Sequence, residues 1–263
     1  MYYYGARYYD PRISIFVSVD PLAEQTMTPY QYVNNNPIMF TDPTGMSAEG
    51  AGPPVRPGFL LMPVYKTRTY SYMGTTHKSK DIVGYKFRPS AVHLLSLVSG
   101  VKAEYIKNAK VEFSRFGSGG SSLTTGSGVN NSTITHYPEK GDIWTDPIYT
   151  IAFFTRNAHE VGHIPHLKDG NEAHMDQSIL EYTLNLLYTG EWHDGPFSFK
   201  EKEADVGENT FEDFNEFVNE YYGENNLKKL FENTKNTEED KIKRIDTWWK
   251  KYREERPKIK IKD

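Results

Sequence analysis

Apolar residues return at helical spacing through most of the second half of the chain. Ile148, Ile151 and Ala152, followed by Phe154 and Ala158, form one stripe. Asp146 is placed to cap that helix, Pro147 suits its first position, and Pro165 is expected to stop it. A second helix is predicted over 175–188, ending at Gly190. A third begins near Phe199 and Lys200 and carries Phe211, Phe214, Phe217 and Val218 on one face. The last, Glu238–Glu255, gathers Ile242, Ile245, Trp248 and Trp249 on one side, which reads as packing rather than as a stacking platform for bases. Upstream the texture changes: strands are predicted over 59–72 and 82–87, a short helix over 91–98, and the Gly/Ser/Thr tract 117–128 reads as a flexible loop.

The first 46 residues differ again, with extended runs such as 13–19 lying between turn signals at Asp10-Pro11, Asp20-Pro21 and Asp42-Pro43. A Gly/Pro linker, Gly50-Ala51-Gly52-Pro53-Pro54, follows. The pattern predicts an α+β fold in three stretches: a short β-rich segment over 1–46, a linker and small β portion over 47–145, and a helical region over 146–263.

Composition narrows the chemistry. The 263 residues carry a formal net charge of −4, which argues against nucleic acid as the main partner. The ten Lys and Arg beyond residue 240 read as a solvated face on a terminal helix. There is no cysteine, so disulfides, thiolate-bound zinc and thiol nucleophiles are excluded, and any metal must sit on His, Asp or Glu. No apolar run approaches the ~18 residues of a membrane span. Met1 is followed by Tyr-Tyr-Tyr-Gly-Ala-Arg, without the basic-then-apolar order of a secretory leader, so no signal peptide is expected and the compartment stays open.

The N-terminal segment carries a dense set of ordered residues: Tyr3-Tyr4-Gly5-Ala6-Arg7-Tyr8-Tyr9-Asp10-Pro11, Phe16-Val17-Ser18-Val19-Asp20-Pro21, Tyr30-Gln31-Tyr32-Val33-Asn34-Asn35-Asn36-Pro37 and Asp42-Pro43-Thr44-Gly45. Together they closely resemble the RHS repeat-associated core signature. The resemblance implies a segment that closes a large β-strand shell and is followed by a variable C-terminal domain, often a toxin, with the parent shell and a cognate immunity protein as partners. Some members cut themselves after the last of these elements with paired aspartates, which here would be Asp20 and Asp42 acting on the Met46–Ser47 bond. Two close carboxylates that share a proton can serve as acid and base. The chain departs from the signature where Asp20-Pro21-Leu22-Ala23 lacks its glycine, where Ser14-Ile15 replaces Gly-Arg, and in lacking the shell-building repeats. It reads as the end of a longer protein or a displaced gene fragment.

On the helix after Asp146 lies His159-Glu160-Val161-Gly162-His163, an HExxH motif. Imidazoles four apart share a helical face and can reach one zinc ion, and Glu160 beside them can act as general base and then acid. Downstream, Glu201-Lys202-Glu203-Ala204-Asp205 places two carboxylates four apart at a helix start. This ExxAD pattern after HExxH resembles gluzincin-type zinc metallopeptidases, which implies Glu201 as third metal ligand and Asp205 as the support of a ligating His. Three other third ligands remain open: Glu181, 18 residues after His163; Glu203, one register from Glu201; and Asp169, at a metzincin-like spacing in which His166 stands where a turn glycine is expected. His166, His174 and His193 read as ordinary surface or loop residues, any one of which could donate to an oxyanion. Tyr182, Tyr188 and Trp192 read as core.

The expectation is therefore zinc-dependent peptide hydrolysis by a zincin-like domain of an RHS-type toxin or effector, with a peptide or protein substrate. The alternatives are a metal-free zincin scaffold acting as an interaction or delivery module, and, less favoured by the charge, a nuclease toxin.

Overall fold

The computed structural model describes residues 1–3, 7–19, 30, 32, 40–41, 49–50, 59–72, 75–114, 121–137, 149–190 and 195–256. Asp20, Asp42, Met46, Ser47, Asp146, Pro147, Trp192 and His193 lie outside them. The chain forms two compact units, Met1–Val55 and Arg56–Asp263. Its fold is α+β.

In the first unit, β1 (Tyr2–Tyr3), β2 (Tyr8–Asp10) and β3 (Ile15–Phe16) form an antiparallel sheet, and β4 (Phe40–Thr41) pairs with β5 (Glu49–Gly50). A small aromatic core of Tyr9, Phe16 and Tyr32 holds it, and the buried Arg7 guanidinium lies 3.8 Å over the Phe16 ring. Ser14 takes φ +56°, a left-handed conformation that favours glycine. It is the position where the resembled signature carries one.

The second unit contains a five-stranded sheet ordered β6-β7-β8-β10-β9, from β6 (Leu61–Tyr72), β7 (Thr75–Phe87), β8 (Lys110–Phe113), β9 (Ser121–Gly128) and β10 (Asn131–Tyr137). All neighbours are antiparallel except β8 and β10. Two helices, α1 (Pro89–Ser99) and α2 (Ala103–Asn108), lie between β7 and β8 in the chain. The helical part follows: α3 (Tyr149–Gly162), a 3-10 turn (Ile164–Asp169), α4 (Asn171–Thr189), α5 (Phe199–Tyr222), α6 (Asn226–Glu232) and α7 (Glu238–Glu255). Ala91, Leu94, Leu95 and Val98 of α1, Phe153, Phe154, Ala158 and Val161 of α3, and Phe211, Phe214 and Phe217 of α5 merge into one core. Phe154 stacks on Phe211 with centroids 4.7 Å apart. Trp248 is buried and Trp249 packs against the same core, as their helical spacing implies.

Long-range caps join the ends of the unit. Glu238 opens α7 and its Oε2 accepts hydrogen bonds from the Ser90 backbone N–H (2.9 Å) and hydroxyl (2.6 Å) at the start of α1. Thr237 and Asp240 complete a capping box on α7 itself.

Several elements differ from the sequence reading. The tract read as a loop over 117–128 contains β9, a full strand from Ser121. One of its glycines reflects close packing: a Cβ on Gly126 would lie 2.3 Å from the Asn131 carbonyl oxygen, at the register shift between Asn131 and Ser132. Period-two burial of Ser132, Ile134 and His136 marks its partner β10. The second long strand begins at Thr75 rather than 82, and α4 begins at Asn171 rather than 175. Helix α3 ends at Gly162, and Pro165 sits inside the 3-10 turn that follows.

Helices α3 and α5 cross at small residues. A Cβ on Gly162 would lie 2.6 Å from the Cα of Ala204, and one on Gly207 would lie 2.4 Å from the carbonyl oxygen of Ala158. Gly162→Ala should therefore destabilise the protein by about 1–3 kcal/mol in urea unfolding, as overpacking does. Gly128→Ala, whose Cβ would meet nothing within 4 Å, should cost less than ~0.5 kcal/mol. Equal costs would contradict the close crossing.

Candidate metal centre

Helix α3 presents His159, His163 directly follows its last residue one turn on, and the first turn of α5 brings Glu201 to them. His159 Nε2 and His163 Nε2 are 3.1 Å apart, and Glu201 Oε2 lies 3.4 Å from the first and 3.5 Å from the second. A tetrahedral zinc ion with ligands at about 2.0–2.1 Å separates them by about 3.3 Å. The three donors thus have the spacing of one face of that tetrahedron. Tyr182 donates its hydroxyl hydrogen to Glu201 Oε1 (3.1 Å), which leaves Oε2 toward the imidazoles.

Asp205, one turn beyond Glu201, accepts from His159 Nδ1 through Oδ1 (3.0 Å), and Glu208 Oε2 stands 3.5 Å from the same nitrogen. A proton on Nδ1 leaves Nε2 as the bare nitrogen. Glu160 is buried, and Thr124 of β9 donates to its Oε2 across 2.6 Å. The Thr124 hydroxyl also lies 2.9 Å from the Glu160 carbonyl oxygen, which fastens the strand to the end of α3.

The charges respond to this crowding. Burial opposes charge on His159, yet Glu201, Glu160 and Asp205 outweigh it and raise its pKa to about 9. The His159 imidazole, then that of His163, hold Glu201 well below the usual carboxylate range. Burial pushes Glu160 up, against the opposing effects of Thr124 and the two imidazoles.

The donors open into a cavity of about 470 Å³, walled by Ser122, Leu123 and Thr124 of β9, by α3, and by His174, Met175, Ser178 and Tyr182 of α4. Among the described residues, β9 pairs only through one edge, with β10.

The other sequence-nominated residues fall elsewhere. Glu181 of α4 is buried against the start of α5: its Oε2 accepts from the Lys200 backbone N–H (3.3 Å), and its Oε1 from Gln177 (3.2 Å). Glu203 Oε2 accepts from His166 Nε2 at 3.0 Å. Asp169 ends the 3-10 turn, exposed. Among the described residues, the groups of three or more metal-capable side chains are His159, His163 and Glu201, and His159, Asp205 and Glu208.

Two readings need correction. His174 is no surface residue: it is buried, lines the cavity, and its Nδ1 accepts from the buried Lys200 ammonium at 3.1 Å. Burial, then Lys200 beside it, lowers its pKa to about 4. Tyr182 belongs to the cavity wall rather than to the core, whereas Tyr188 is 76% exposed. Thr124 gave no sequence signal because it lies in the tract that resembles a loop. Lys200 was hidden because lysine is seldom buried.

Two curated proteins are similar to short stretches of the chain. Salivary gland surface protein 1 of Aedes aegypti is 46% identical over 48 residues, which is 18% of this chain and 1% of that protein. Toxin subunit YenC2 of Yersinia entomophaga is 44% identical over 48 residues, 18% of this chain and 5% of its own length. The chain therefore spans a small fraction of the curated relatives it matches. No family model matches it, and no solved structure does. Among the described residues no helix is long and apolar enough to cross a membrane.

Beneath the site, β10 is tied to α3 by a buried imidazole. His136 Nε2 donates to Asn157 Oδ1 (3.1 Å), whose Nδ2 donates to the Phe153 carbonyl (2.7 Å), so the Ser122 hydroxyl must donate to His136 Nδ1 (2.6 Å). Burial lowers the His136 pKa to about 3, far below the 6.5 of a free imidazole. The unfolded chain therefore binds the extra proton first. The stability gained from a neutral His136 is full above pH ~6.5 and is lost as pH falls toward 3. The cost of His136→Gln in thermal melts of metal-free protein should accordingly be larger at pH 7.5 than at pH 5. A cost independent of pH would contradict the neutral assignment.

Proposed function

We propose that the second unit is a zinc-dependent peptidase, carried as the C-terminal part of an RHS-type toxin. The observation that supports it most is the spacing of His159, His163 and Glu201 beside a buried, hydrogen-bonded Glu160. Zn²⁺ held by those three residues would supply the Lewis acidity that makes water a nucleophile near neutral pH and polarises a carbonyl.

The chain's own residues do the rest. Asp205 orients His159, and Tyr182 orients Glu201. Glu160 takes the proton of the attacking water and passes it to the leaving amine. A carboxylate whose pKa is raised by burial is suited to both transfers. Thr124 holds Glu160 through one oxygen and leaves the other for that work. An extended substrate can add to the unpaired edge of β9 by backbone hydrogen bonds, which brings its peptide groups along the cavity wall.

The toxin setting draws support from the RHS-like segment and from the similarity to a protein named as a toxin subunit. A peptide or protein substrate, the parent RHS shell and a cognate immunity protein follow as partners. The net charge of −4 weighs against a nuclease.

Zinc-loaded wild type and Glu160→Gln should be compared on a fluorescently labelled unfolded protein. Wild type should cleave it, and Glu160→Gln should be slower by about 10²–10⁴-fold with its zinc retained. Failure of the zinc-loaded wild type to cleave, or undiminished cleavage by the variant, would contradict the peptidase reading and favour an inert scaffold.

A further inference from the structure

We propose that His166 and Glu203 form a positioning relay for His163, in which His163 Nδ1–H donates to His166 Nδ1 and His166 Nε2–H donates to Glu203. The inference rests on the zinc reading above. It adds two residues that this reading leaves without a task.

The chain of contacts is short and continuous. His163 Nδ1 and His166 Nδ1 are 3.3 Å apart, and His166 Nε2 lies 3.0 Å from Glu203 Oε2. A neutral imidazole carries one N–H and one bare nitrogen, and a carboxylate can only accept. Starting from the carboxylate, Glu203 accepts, so His166 holds its proton on Nε2. Its Nδ1 is then bare and can only accept, so His163 holds its proton on Nδ1. That leaves His163 Nε2 bare, and this is the nitrogen that faces His159 Nε2 and Glu201. One proton assignment satisfies every link, and it is the one that metal binding requires.

The local fold explains the placement. Helix α3 ends at Gly162, and the 3-10 turn that follows brings His166 back beneath His163 with ring centroids 5.5 Å apart. Glu203 projects from α5 two residues beyond Glu201. The two ligating imidazoles are thus supported differently: His159 reaches Asp205 directly, whereas His163 reaches its carboxylate through a second imidazole. Both ring nitrogens of His166 are used in this arrangement, so it has no N–H for an oxyanion, and Glu203 is occupied away from the metal donors.

The test is zinc affinity of the full chain, stripped of metal and titrated against a competing chromophoric chelator, with melting temperatures of the metal-free proteins as the folding check. His166→Phe should weaken zinc by about 10–100-fold, the usual cost of losing such a support. His166→Asn, which keeps an acceptor near the position of Nδ1, should recover most of that loss, and Glu203→Gln should weaken zinc less than His166→Phe. Unchanged affinity in His166→Phe, or a loss that His166→Asn fails to recover, would overturn the relay while wild-type binding keeps the metal centre. Wild type that binds no zinc would overturn the relay together with the site on which it rests.

Discussion

Where α3 crosses α5, Gly162 meets the backbone of Ala204 and Gly207 meets the backbone of Ala158 with no room for a further methyl group. Each of these four small residues is followed in sequence by a polar residue of the site: His159 on α3 and His163 just past its end, Asp205 and Glu208 on α5. Packed helices ordinarily stand about 8–10 Å apart, depending on the side chains between them. Small residues at the crossing let the two backbones approach closely. Short reaches then suffice for an imidazole from one helix to meet a carboxylate from the other. The buried phenylalanines of α5 and the stacked Phe154–Phe211 pair fix the rotation of both helices, so the donors cannot turn away from each other.

That geometry leaves an electrostatic demand. Two Nε2 atoms 3.1 Å apart cannot both present lone pairs to each other without something positive between or beside them. Three carboxylates, Glu201, Asp205 and Glu208, stand around the same imidazoles. In the metal-free chain a proton can meet the demand, and Glu201, Glu160 and Asp205 favour it by raising the pKa of His159. A divalent cation would meet it with more charge, and its binding would release that proton. Glu160 stands close by but is held by Thr124, which keeps its carboxylate out of the donor set.

Much of this arrangement was legible in the sequence, and the parts that were not share a cause. The helix that starts at Phe199 and the one over 238–255 carried strong apolar periodicity, and they fold as their patterns imply. His159, His163, Glu201 and Asp205 could be placed on shared faces from spacing alone, because a helix fixes which residues are neighbours. Strand β9 could not be read. Its Ser and Gly residues mask the strand preference of Thr124 and Thr125, and its conformation is imposed by the ladder to β10 and by Thr124 meeting Glu160, 36 positions away in the chain. His174 and Lys200 escaped for a similar reason: their burial is decided by α4 packing near the start of α5, which no local pattern encodes.

The most direct measurement is zinc per chain together with X-ray absorption at the zinc edge, on wild type, Glu201→Ala and Glu181→Ala proteins. The account predicts about one zinc per wild-type chain, nitrogen and oxygen ligands at about 2.0–2.1 Å that include two imidazoles, loss of the metal in Glu201→Ala, and its retention in Glu181→Ala. A wild-type chain that takes up no zinc, or one whose zinc survives Glu201→Ala and is lost in Glu181→Ala, would contradict it.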